Sequence, residues 1–109
     1  MENRSKRQFK RQQEREIINE YHKFVTEEAL EPLYQSFLEW KNGQLPYDKL
    51  TERIHLFHKR NQEIYKEFND TEWDILVLYA KFKLGRLDET DKKANRALLE
   101  RWGYEDRDV

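Results

Sequence analysis

Cysteine is absent from the 109 residues, which excludes disulfides, thiolate metal sites and thiol nucleophiles at once. Serine is nearly so. Ser5 lies in a basic segment and Ser36 in a helical pattern, and neither has the spacing of a nucleophile elbow. No apolar run approaches the roughly 20 residues needed to span a bilayer. The basic N-terminus lacks the apolar block of a signal peptide. These absences lead us to expect a soluble, cytoplasmic protein with no membrane partner. Glycine (3) and proline (2) are scarce, and no glycine lies in a phosphate-binding loop. No cofactor pattern is visible.

Charged residues are plentiful at 39%, and aromatic ones reach 14%. High charge with few apolar residues can signal disorder, but disordered chains are poor in rings. Here six Phe, six Tyr and three Trp recur at regular spacings, which favours a folded helical protein. Net charge is −1, unevenly spread. Residues 1–15 hold six basic against two acidic side chains, a balance of +4 that leaves −5 for the rest. We therefore expect a basic arm at 1–15, a single helical domain at 16–104 and a short acidic tail at 105–109.

Periodicity predicts an all-α fold, a small irregular bundle of four or five helices. The expected helices run at about 7–29, 32–42, 46–69, 72–84 and 89–102. Gly43, Gly85 and Gly103 each fall where a helix should stop, and Pro46 suits the opening of the next. Thr71 in "TEWD" is the expected N-cap of the fourth helix, and Asp88 or Thr90 that of the last. Around Pro32 the apolar stripe turns over. Ile17, Ile18, Tyr21, Phe24 and Val25 share one face, while Leu33, Tyr34, Phe37, Leu38 and Trp40 share nearly the opposite one. A break or sharp kink between Ala29 and Pro32 is expected there, where a proline removes a backbone donor. The helix near 72–84 carries two stripes and is the expected central element. The expected core comprises Trp73, Leu76, Leu78, Tyr79 and a stripe from Leu50 to Phe68.

Three candidate sites follow. Glu52, His55 and His58, at steps of three, are the only metal-like constellation. They spread over about 120° of helical arc, too wide for one ion to collect all three. A Glu-x-x-His pair serves di-metal bundles only when a second such motif is present, and there is none. An ordinary helix surface is the favoured reading. Arg4, Lys6, Arg7, Lys10, Arg11 and Arg15 could neutralise phosphates, with Phe9 stacking on a base. The acidic remainder opposes a polyanion, so nucleic-acid association is the runner-up.

Protein–protein interaction has broader support, because rings and arginines are enriched at interface hot spots. Trp40 and Trp102 are candidate anchors, or closures of the bundle. Asn61, in the middle of an apolar stripe, either fixes register in an assembly or meets water. The expectation is a non-enzymatic interaction module with a protein partner, a homodimer being the natural form.

Overall fold

The computed structural model describes residues 2–105, with side chains from Ser5 onward. Five helices and no strand occur among them. These are α1 (Glu2–Lys41), α2 (Tyr47–Asp70), α3 (Trp73–Leu84), α4 (Glu89–Ala94) and α5 (Arg96–Arg101). The chain divides into two compact units, one formed by residues 1–21 and 72–109 and the other by 22–71.

The discontinuous unit buries Ile18 and Tyr21 of α1, Leu76, Val77, Leu78 and Ala80 of α3, and Leu99 of α5. The ring of Tyr79 meets Tyr21 edge-on at 5.8 Å and Trp102 at 5.0 Å, while Phe82 stacks on Trp102 at 6.2 Å. Both stripes of α3 thus find partners, as its double apolar pattern requires. The helix ends at Gly85, whose φ of 71° lets Arg86 N–H reach the carbonyl of Lys81 (2.8 Å) and Gly85 N–H that of Phe82 (3.3 Å). This pairing is the Schellman closure.

The expected last helix is divided at Asn95. Its amide group bonds the carbonyl of Asp91 (3.0 Å), a side-chain alternative to the helical ladder that asparagine favours. The first half is capped by Asp88. Its carboxylate accepts from Asp91 N–H (2.7 Å), and Asp91 returns a bond to Asp88 N–H (3.1 Å).

The second unit is a helical hairpin made of α1 from His22 onward, the turn at 42–46, and α2. Gly43, at φ 77°, makes the turn possible. Leu50, Ile64 and Ser36 are buried between the helices, with Val25, Ala29, Leu33, Phe57 and Phe68 half-buried. His22 packs edge-on to Phe68 at 4.9 Å, and Arg53 reaches the Ser36 hydroxyl at 3.4 Å. Those pairings run in opposite order along the two helices, so the hairpin is antiparallel.

Three expectations need correction. Pro32 does not break the first helix, because α1 is continuous from Glu2 to Lys41 with the proline inside. Val25, Ala29, Leu33 and Ser36 keep a three-to-four spacing through that point, so one seam against α2 continues across the missing N–H. Thr71 does not cap α3. Its hydroxyl donates to Glu67 O (2.6 Å) and closes α2, and Glu72 is the N-cap, without a side-chain bond. The α2 stripe is only partly core, for Ile54 and Tyr65 are 40% and 70% exposed and Asn61 also faces outward. One facing helix covers too narrow an arc to bury a stripe that wide.

Candidate interaction surface

The hairpin unit leaves most of its large apolar side chains uncovered. Leu30, Phe37 and Trp40 of α1 are 40%, 42% and 45% exposed, and Tyr47 of α2 is 77% exposed, beside Ile54 and Tyr65. Their placement follows from helical geometry. Ser36 sets the origin of α1 and Leu50 that of α2, both being buried in the seam, and each residue advances about 100°. These six residues then all fall between about 40° and 120° from the seam, in the same rotational sense.

Because the helices are antiparallel, sectors of the same sense lie on one side of the hairpin. The opposite side bears this out: a shallow cleft there brings Glu28 and Pro32 of α1 together with Leu56 and Arg60 of α2. That side carries the charges, with Glu28, Glu39, Lys49, Arg53, Arg60 and Glu67 in the corresponding sectors beside exposed Phe24 and Leu56. On the apolar side the intervening positions are His22 and Thr26 of α1, and Thr51, His58, Gln62 and Asn69 of α2, with Asn61 at about 20°, between this sector and the seam. Within residues 22–70 no Asp, Glu, Lys or Arg occupies the sector, in a chain that is 39% charged. Charge resumes outside it at Lys23 and Lys41 of α1 and at Asp48 and Lys66 of α2, all exposed.

Of the sequence-derived candidates, Trp40 lies on this side near the turn and Asn61 at its inner edge further along α2. Trp102 does not. Its ring is engaged with Tyr79 and Phe82 in the other unit. Glu52, His55 and His58 are all exposed, and Glu52 is turned to Lys49. Among the described residues no group of three or more His, Asp or Glu is placed to hold a metal ion.

Within the basic segment, the side chain of Arg4 lies outside the described residues. Lys6, Arg7, Lys10 and Arg15 are exposed along α1, as is Phe9 at 65%. Arg11 lies over the Trp73 ring at 4.1 Å, and Trp73 Nε1–H donates to Glu14 (3.2 Å). The expected tail at 105–109 lies outside the described residues except for Glu105.

Among the described residues, two ionisable groups are displaced from their ordinary values, Asp88 at the start of α4 and Lys92 within it. The Asp91 backbone N–H holds the Asp88 carboxyl below the usual aspartate range. Hydrogen bonds to Tyr104 and then Glu89 raise Lys92. Each shift has a local structural cause, and neither group joins a cluster.

Comparison with known proteins places the chain in no family. No family model matches it, and no curated protein or solved structure resembles it. Among the described residues no helix is long and apolar enough to cross a membrane. The uncharged sector was in principle readable from sequence. Its signal is a run of missing charges at helical spacing, whereas a search for chemistry-bearing residues stops at the histidines.

Proposed function

We propose that the chain is a non-enzymatic protein–protein interaction module, acting in the cytoplasm through the uncharged side of the 22–71 hairpin. The observation that carries this reading is the coincidence of large exposed rings with a complete lack of charged residues there. Interface cores are depleted in charge and enriched in Tyr, Trp and Phe, and contiguous apolar patches on a folded surface mark contact sites. Solvation alone gives no reason to sort the charges so sharply between the two sides of one hairpin.

The basic segment makes the weaker case. Arg11 is drawn onto Trp73, and the cleft beside it also contains the carboxylates of Glu14 and Asp74.

Photo-cross-linking in the native host tests the proposal. Benzoylphenylalanine replacing Ile54 should give discrete protein adducts, and the same group replacing Arg60 on the charged side should not. No adduct from position 54, or equal adducts from both positions, would sink it.

A further inference from the structure

We infer that the occupant of this side is a second copy of the same chain, two hairpins closing into a four-helix bundle. The inference rests on the interaction reading above and deepens it.

Area is the first argument. Leu30, Phe37, Trp40, Tyr47, Ile54 and Tyr65 are 40–77% exposed. Taking ~200 Å² for a large side chain, they leave on the order of 600 Å² of apolar surface bare. With the polar residues between them, the patch approaches the ~800 Å² per partner of a standard interface.

Charge is the second. A two-fold axis sets a surface against itself, so a charged group near the axis meets its own copy and repels it. A surface without Asp, Glu, Lys or Arg meets no such penalty. A partner recognised by complementary charge would require charges here, and there are none.

Architecture is the third argument. A two-helix hairpin buries one seam and leaves each helix half bare, and antiparallel pairing of two hairpins is how four-helix bundles complete their cores. Asn61 lies between Ile54 and Tyr65 on the bare side. In the dimer its amide can pair across the interface without burying a charge, the use a core-edge asparagine has in helical assemblies.

Sedimentation equilibrium of the full chain decides the matter. At about 50 μM, wild type should run at twice 13.6 kDa. Ile54→Glu should weaken association by roughly 100-fold or more, since the two-fold axis buries the unpaired carboxylate twice. Tyr47→Lys should do the same, and its side chain is too exposed in the single chain for the change to disturb folding. Leu56→Glu, on the charged side, should leave the dimer intact.

A wild-type chain that remains monomeric overturns the second-copy inference. Cross-linked adducts of other masses at position 54 would then preserve the broader reading, and their absence would remove both. Equal dissociation by Leu56→Glu also overturns it, because association would not be using this side.

Discussion

Asp88 does more for its helix than its neighbours do. A helix of six residues cannot support itself by propensity, because nucleation fixes several residues for a single hydrogen bond. The reciprocal bonds between Asp88 and Asp91 satisfy two amides that would otherwise be free at the start of α4. Lys81 holds the Asp91 carboxylate at 3.3 Å from α3, so the cap is also tied to the next element. The Asp88 carboxyl is depressed in the folded state. Its contribution is therefore fully present above the unfolded value, about 3.9, and is lost as pH falls through the folded one. Asp88→Ala should lower the melting temperature at pH 7, and the gap to wild type should close in acid. A gap that persists unchanged at pH 2.5 would show that the carboxylate is not what stabilises the turn. This cap was legible from "DETD". Thr71 was not, because its hydroxyl could serve either the helix before it or the one after, and only packing decides which.

At the scale of the element, α1 shows how little a single proline decides. Pro32 forgoes one hydrogen bond and crowds the preceding turn, a cost near 3 kcal/mol in a helix interior. The seam from Val25 to Ser36 crosses it without loss of register, and Ser36 donates its hydroxyl to the Pro32 carbonyl (2.9 Å). Pro32→Ala should restore the missing bond. The unfolded chain gains freedom worth about 0.4–1 kcal/mol, so the net stabilisation should be on the order of 2 kcal/mol by denaturant titration. An unchanged or lowered midpoint would mean that the hairpin needs the bend a proline imposes. The stops at Gly43 and Gly85 could be read in advance because each rests on a local backbone requirement. Whether Pro32 breaks the helix is not legible in the sequence, because a local cost is set there against a seam that only α2 reveals. The apolar residues of α2 were equally visible in sequence, but their sorting into a buried seam and an exposed side depends on how many helices face them.

For the whole molecule, the two units carry different burdens. The unit built from both ends of the chain encloses seven buried apolar residues, from Ile18 to Leu99, and a cluster of rings. The hairpin unit fully buries only Leu50 and Ile64 among its apolar residues. A core that small contributes little against the entropy of ordering fifty residues. Association that covers the bare side links its stability to concentration, so the melting temperature should rise as the protein is concentrated from about 1 to 100 μM. Ile54→Glu should flatten that dependence, and a wild-type melting temperature independent of concentration would contradict the link. The division of the chain also sets an order of events on the ribosome. The hairpin is contiguous, whereas Ile18 and Tyr21 belong with α3, whose first residue is translated some fifty positions later. At about 5–20 residues per second that is a wait of roughly 3–10 s, during which the hairpin is being made and the start of α1 has nothing to pack against. The nascent chain therefore displays two unsatisfied apolar faces before its release. One is closed by its own C-terminal helices, and under the second-copy inference the other stays open until another chain covers it.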